Sequence, residues 1–215
     1  MPVATIKFYL REGLLPRGVP TARNQADYGD GHVRRIRLIR TLVVAGRLDL
    51  VSIGTLLAAI DDDEIGLDGV YDILNRSLYH HELGMGGLDG LENARREVGD
   101  FLDDRGWPGV LSPAGQGLSE VLAALRSLGC EADISFFRTF AEAAEQITTA
   151  ELDLLDPVDH KAQKGSAVMR YVLFEAAFAA LRRLSREATV GRRFAHSASL
   201  RDRGPARTHR GGATT

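Results

Sequence analysis

Cysteine is almost absent from this 215-residue chain, in which Cys130 is the single example. One thiol cannot form an internal disulfide, which fits a protein of the reducing cytoplasm. A single thiol also cannot build a thiolate metal centre. We interpret Cys130 as a small apolar side chain buried in the core rather than as a redox sensor.

Several signals of other protein classes are missing as well. The sequence has no apolar run of about 18 residues and no basic-then-apolar leader, so it predicts neither a transmembrane helix nor a signal peptide. It has no glycine-rich phosphate loop, no His-Glu-x-x-His pattern and no nucleophile elbow. We therefore expect a cytoplasmic protein that is not an enzyme, with no catalytic residue and no cofactor.

The histidines do not suggest a metal site. His80 and His81 are adjacent, so the two rings cannot readily share one helical face with Glu82. His160 follows two aspartates closely, and we interpret this group as the start of a helix rather than as a catalytic pair. The sequence predicts no metal ion.

Charge is distributed very unevenly along the chain. Residues 1–50 contain nine Lys or Arg and four Asp or Glu, a net charge of +5. Residues 51–190 have a net charge of −12, and residues 191–215 again have +5. A basic segment at residues 1–50 beside an acidic segment at residues 51–190 favours an orientation in which the basic segment faces a polyanion. A solvated asymmetry without function is the alternative.

The segment that carries the most chemistry is residues 5–16, TIKFYLREGLLP. Ile6 and Leu10 are four positions apart and share one helical face, whereas Lys7 and Arg11 share another. A glycine and then a proline end this short helix. Two cations on one ridge suit a helix that enters a DNA groove. The alternative is an ordinary amphipathic helix with solvated cations.

A second, basic helix is predicted to begin near His32, after a polar segment that is too rich in Gly, Asn and Asp to be helical. Its buried face is predicted to contain Ile36, Ile39 and Val43, and Gly46 ends it. Arginines follow at three-residue spacing on another face: Arg34, Arg37 and Arg40. A further short helix is predicted with Ser52 as its cap and an apolar stripe of Ile53, Leu56, Leu57 and Ile60.

The order and letters of residues 1–65 resemble the DNA-binding domain of MerR-type transcription regulators. TIKFYLREGLLP is similar to the recognition-helix signature of that family, TARNQADY lies where its wing is found, and HVRRIRLIRTL is similar to its third helix. The resemblance implies a winged helix-turn-helix head and a homodimer that binds a two-fold symmetric promoter. It also implies regulation of transcription by RNA polymerase at that promoter.

The resemblance also assigns the residues that would bind DNA. The recognition helix would lie in the major groove, the wing would reach flanking phosphates, and the basic helix would hold the backbone. In that order, the predicted DNA-binding residues are Thr5, Lys7, Phe8, Tyr9 and Arg11; Arg23, Asn24 and Tyr28; and Arg34 and Arg37, with Arg40 as a further candidate.

Two departures from the family pattern matter. The family has a helix of about ten residues before the recognition helix, but here Met1-Pro2-Val3-Ala4 leads almost directly into it. We expect Ile6 and Leu10 to lose a packing partner, which can cost several kcal/mol, and the chain as written to bind DNA poorly or to be a fragment. In the wing, Gln25 and Ala26 replace the usual Tyr-Arg pair.

The rest of the chain is predicted to be all-α, because no body segment alternates like a strand. We place an acidic hinge at residues 61–68, which sets the predicted domains at 1–65, 66–190 and 191–215. The middle domain would serve for dimerisation or effector binding, and the last would be a disordered basic tail. Helices are expected at about 69–83, 89–105, 115–129, 133–154 and 157–188.

Two questions about this body remain open in the sequence. The apolar helix at 157–188 is either the centre of a bundle or a dimer contact. A group of aromatic residues is either core or the lining of a pocket for a small apolar effector, namely Trp107, Phe136, Phe137, Phe140, Tyr171, Phe174 and Phe178. The alternative function is a helical effector-binding or interaction module with a head that no longer binds DNA.

Overall fold

The structure, a computed structural model, describes residues 1–22, 25–78, 87–154 and 160–201, and of residues 160–162 and 194–201 it describes the backbone only. The chain divides into two compact units, Met1–Leu173 and Phe174–Thr215. Within the described residues, no helix is both long and apolar enough to cross a membrane.

The first part of the chain is a small winged helical head. Its elements are helix α1 (Val3–Arg11), strands β1 (Val19–Ala22) and β2 (Gln25–Asp27), and helices α2 (Asp30–Val44) and α3 (Leu50–Asp61). The strands form an antiparallel hairpin in which Val19 is opposite Asp27. This hairpin overlaps the segment TARNQADY, where the sequence predicts the wing.

Helices make up the remainder of the described chain. They are α4 (Leu67–Leu78), α5 (Leu91–Asp103), α6 (Pro113–Ser127), α7 (Arg138–Leu152) and α8 (His160–Arg201), with a 3₁₀ turn at Ile134–Phe137 before α7. The predicted fold class, an all-α protein with a helix-turn-helix head, is confirmed by these eight helices and the single two-stranded sheet of the described residues.

The first core lies in the head and extends beyond it. It joins the turn after α1 to α2, α3 and α4, and it also contains Val168 and Val172 from the start of α8. Its fully buried aliphatic side chains include Leu15, Ile39, Leu42, Ile53, Leu56, Leu57, Val70 and Leu74. Side chains that are about a hundred positions apart in the sequence therefore stabilise one cluster.

Two details of the head correct the sequence prediction. Val43 is 38% exposed, and Leu38 and Leu42 take the buried positions of α2 beside Ile39. The cap of α3 is Asp49 rather than Ser52, because the Asp49 carboxylate accepts from the backbone N–H of Ser52 at 2.8 Å. An aspartate at this position satisfies one of the free donors of the first helical turn.

A second core lies between α5 and α6. Its buried residues are Leu91, Ala94, Val98, Leu102, Leu122 and Ala123. At its edge Arg126 donates both Nη atoms to the Glu97 carboxylate at 2.8 Å, and its Nε donates to the carbonyl oxygen of Ala132 at 2.9 Å. The bidentate pair connects α5 to α6, and the Nε bond connects α6 to the chain that precedes the 3₁₀ turn.

The Glu97–Arg126 pair should make stability depend on pH in the acid range. The hydrogen bond from Arg126 holds the pKa of Glu97 below its usual range. A lowered pKa stabilises the fold above the pKa of the unfolded chain, and this contribution is lost as pH falls through the folded value. We expect Glu97→Gln to lower the free energy of unfolding at neutral pH by less than about 1 kcal/mol, since the pair is partly solvated.

Urea unfolding at neutral pH and at about pH 3 measures this effect, because the difference between wild type and Glu97→Gln should shrink at the lower pH. Glu92→Gln is the matched control, since Glu92 lies on the exposed face of the same helix and pairs with Arg95 instead. A difference between wild type and Glu97→Gln that stays constant across this range would contradict the assignment.

Three expectations about the body are changed by the structure. Cys130 is exposed, not buried, because it follows the left-handed Gly129 that ends α6. The predicted aromatic group is divided: Tyr171 packs on Tyr71 at 5.6 Å in the first core, whereas Trp107 and Phe137 pack against the second. Helix α8 continues to Arg201, whereas the sequence predicted its end at about position 188.

Some predictions fall on residues that the structure does not describe. These are the His80-His81-Glu82 group, the aspartates before His160, and the tail after position 201. Among the described residues, no group of three or more His, Cys, Asp or Glu is arranged to hold a metal ion.

Candidate DNA-binding surface

Helix α1 presents its cations to solvent and its apolar side to the head. Tyr9 is only 7% exposed, and Ile6, Phe8 and Leu10 are half-buried against the first core. Lys7 and Arg11 are exposed on the other side. Ile6 and Leu10, which we expected to lose a packing partner, are partly buried and pack against the first core.

The turn after α1 fixes how the helix ends. Gly13 adopts a positive φ of 71°, which an L side chain rarely tolerates, and the N–H groups of Leu14 and Leu15 then donate to the carbonyl oxygen of Tyr9 at 3.0 and 3.2 Å. Leu14 and Leu15 are 5% and 2% exposed. The turn thus anchors the C-terminal end of α1 in the core while its outer face stays free.

Arg11 is held next to Phe8 on the outer face of α1. Its guanidinium carbon lies 5.3 Å from the centre of the Phe8 ring, and its Nε lies 3.0 Å from the Glu12 carboxylate. The Arg11 side chain is 72% exposed, so the ion pair is a weak surface contact that a phosphate can replace.

A groove of about 850 Å³ separates the end of α1 from the hairpin. Arg11, Arg17 and Tyr28 contribute its polar lining, together with residues of both strands. Gly18 allows the hairpin to close beside it, because a Cβ at this position would lie 2.6 Å from the carbonyl oxygen of Asp27. Arg17 was not predicted, although its position between the recognition segment and the wing is a signal that could have identified it.

The remaining predicted residues lie between the hairpin strands, between the hairpin and α2, and on α2. Tyr28 is 47% exposed and its ring contacts the edge of His32 with centres 5.0 Å apart. Arg34, Arg37 and Arg40 are exposed along α2. Arg23 and Asn24, which come between the two strands in the sequence, are outside the described residues.

Three of the predicted residues are less accessible than Lys7 and Arg11. Tyr9 packs in the core, which leaves its ring little surface for DNA, and Thr5 is half-buried. Phe8 is also half-buried beneath Arg11. The structure therefore brings Lys7 and Arg11 together as the accessible polar residues of α1, while the DNA contacts of all ten predicted residues remain predictions.

Arg35 is a second residue that the sequence analysis did not single out. It points inward, where its Nε donates to the carbonyl oxygen of Leu14 at 3.0 Å and its Nη1 pairs with Asp61 at 2.6 Å. Position 35 precedes the buried Leu38, Ile39 and Leu42 by three, four and seven residues. That spacing placed Arg35 on the buried face, a signal hidden by its neighbour Arg34.

Comparison with known proteins agrees with this geometry. Residues 1–59 match the family described as MerR HTH family regulatory protein. The crystal structure of the putative transcriptional regulator SCO5550 from Streptomyces coelicolor A3(2) is 30% identical, with a TM-score of 0.66 over 90% of this chain and 92% of that one. The chain belongs to the MerR family. The predicted resemblance is thereby confirmed, and no curated protein matches the sequence.

The family match covers almost the whole of the head. The matched residues end within α3, so they contain α1 and α2, the two helices that carry exposed cations, and the hairpin between them. The similarity to SCO5550 covers 90% of this chain, so it extends over helices after α3 as well as over the head.

Proposed function

We propose that this MerR-family protein binds promoter DNA in a sequence-specific manner through α1. The observation that carries the proposal is the exposed pair of Lys7 and Arg11, four residues apart on a helix whose other side is fixed in the core. A helix of this kind can enter the major groove, where lysine and arginine reach guanine edges or phosphates. Tyr28, Arg34 and Arg37 would contact the flanking backbone.

We further propose that the protein acts as a homodimer through α8. Phe174, Ala177, Leu181, Leu184 and Ala188 follow one another at alternating spacings of three and four residues, the pattern of a coiled-coil seam. Leu181 and Leu184 are 63% and 60% exposed in the single chain. A second copy would remove these side chains from water, and two copies of the head would match a two-fold symmetric promoter.

The regulatory partners follow from the same proposal. RNA polymerase would be the partner at the promoter. The domain limits 1–65, 66–190 and 191–215 also stay proposals.

A small apolar effector would have a surface to bind where the rings of Phe136, Phe137 and Phe140 meet, with centres 5.6 to 6.2 Å apart. Phe136 is 56% exposed there.

Binding to duplex DNA across a salt series tests the proposed function. The logarithm of affinity should fall steeply with the logarithm of salt concentration, with a slope of about −0.9 for each phosphate contact. A duplex selected by the protein from a random pool should bind more tightly than a mixed-sequence duplex of equal length. A stable dimer that shows no salt-dependent affinity for either duplex would instead support the interaction module with a degenerate head.

A further inference from the structure

Three polar contacts connect α8 to the recognition helix across the first core. Lys164 of α8 is 3% exposed, and its Nζ donates to the carbonyl oxygen of Asp62 at 2.6 Å. The neighbouring Asp61 accepts from Nη1 of Arg35 at 2.6 Å. Arg35 in turn donates its Nε to the carbonyl oxygen of Leu14 at 3.0 Å, directly after the glycine that ends α1. We call this series of contacts the polar connection.

Apolar packing holds the start of α8 in the same place. Val168 and Val172 are 0% and 2% exposed among the side chains of the head. Gly165 passes so close to α2 that a Cβ there would lie 3.4 Å from the Leu38 side chain. The first turns of α8 are therefore fixed against α2 and the junction between α3 and α4, and the polar connection has a defined geometry at both ends.

Neither cation of the polar connection is placed to contact DNA. Lys164 is buried, and the Arg35 side chain is 15% exposed and already bound to two acceptors. A buried ammonium or guanidinium that loses its acceptor is costly, so the position of each partner depends on the others. The turn that ends α1 therefore depends on where α8 is docked.

We propose that Lys164 and Arg35 are positioning residues that hold α1 for DNA binding, so that the docking of α8 on the head controls DNA affinity. The inference rests on the proposed function, because DNA is the ligand whose affinity would change. It goes beyond that function by assigning a regulatory role to a helix that is remote in sequence from the DNA-binding residues. Anything that shifts the first turns of α8 would change the affinity of the head.

A double-mutant cycle on the full-length protein tests the proposal. Lys164→Met and Arg35→Met keep much of each aliphatic stem but remove the charged donors. On the selected duplex we expect each single variant to bind about 10-fold more weakly, with an unchanged salt slope because no phosphate contact is lost. The loss of affinity in the double variant should be smaller than the product of the two single losses, because both changes break the same connection.

Hydrogen exchange without DNA gives a second readout that does not depend on the proposed function. Both variants should speed exchange of the backbone amides at residues 9–15, where the polar connection meets α1. Arg34→Met is the matched control, since Arg34 is the exposed neighbour of Arg35 on α2. This control should leave exchange at residues 9–15 unchanged, and any effect on DNA should appear as a shallower salt slope.

A milder variant keeps the test decisive if either methionine variant fails to fold. Asp61 is 60% exposed on its side-chain surface, so Asp61→Asn weakens the Arg35 contact without leaving an empty buried space. It should change exchange and affinity in the same direction by a smaller factor. Additive effects in the cycle, or unchanged exchange at residues 9–15, would overturn the proposal. If the wild type binds no DNA, the proposed function fails, whereas the exchange result still decides the positioning role.

Discussion

Replacing Lys7 and Arg11 together with alanine should weaken DNA binding about 100-fold, because two groove or phosphate contacts of roughly 1.4 kcal/mol each would be lost. Both side chains are exposed, and neither belongs to a core cluster. The fold should therefore survive, and the effect should be confined to DNA. The slope of log affinity against log salt should become shallower by up to about 1.8, if both contacts are to phosphate.

Fluorescence anisotropy with a labelled duplex at several salt concentrations measures both quantities. The matched control replaces Arg96 of α5 and Arg138 of α7 with alanine, which removes the same charge from exposed positions outside the head. The control should bind like wild type. Equal loss of affinity in the two double variants would mean that net charge alone attracts DNA and that α1 is not the recognition helix.

The double substitution Leu181→Glu and Leu184→Glu should leave the chain a monomer over the micromolar range, where the proposed dimer would form without it. Full burial of a leucine contributes about 1.5–3 kcal/mol, so two leucines in each of two copies supply roughly 6 kcal/mol or more toward association. Four carboxylates cannot be buried in that seam without partners. Because both leucines are exposed in the single chain, the fold of each copy should be unaffected.

Sedimentation or light scattering across a concentration series measures this change. Arg183→Glu is the matched control, because it changes the net charge of the chain by the same two units and lies two residues from Leu181, toward the opposite side of α8. The control should stay dimeric. A variant with both glutamates that remains a dimer would move the interface away from this face, and α4 would be the next helix to test.

Loss of the dimer should also weaken binding to a two-fold symmetric duplex, because the two heads would no longer be linked. Measurements of DNA affinity and of mass in solution therefore distinguish the two predictions. The change on α1 should weaken DNA binding without altering the mass in solution, whereas the change on α8 should alter the mass and, through it, the affinity.

The head was predictable from the sequence because its signals are local. Ile6, Leu10, Gly13 and the apolar spacing of α3 each act within one or two helical turns, where periodicity and backbone preference are direct evidence. The predictions of burial were wrong where contacts between helices determine which side chains are buried. Val43 has the right spacing for burial but is exposed, because the core lies on the side of Leu38 and Leu42.

The candidate site was predictable only in part, for the same reason. The exposed cations of α1 and α2 follow from helical spacing alone. Tyr9 was predicted to contact DNA from the family resemblance; it is 7% exposed where α1 meets the core, and its DNA contact stays a prediction. Cys130 was read as buried because of its type, yet it is exposed at the end of α6. Residue type gives an average preference, whereas the position of the neighbouring helices sets each individual burial.

By itself, the sequence determined the helical class of the protein, the short helix α1 with its glycine stop, and the MerR family to which the chain belongs. These depend on neighbours within a few residues or on a motif read in order. Only the tertiary structure decided that α8 returns to the head, where Lys164 is bound by Asp62 and Val168 lies in the first core. No periodic pattern encodes a contact between residues that are 102 positions apart, because such a contact exists only once the intervening helices have packed.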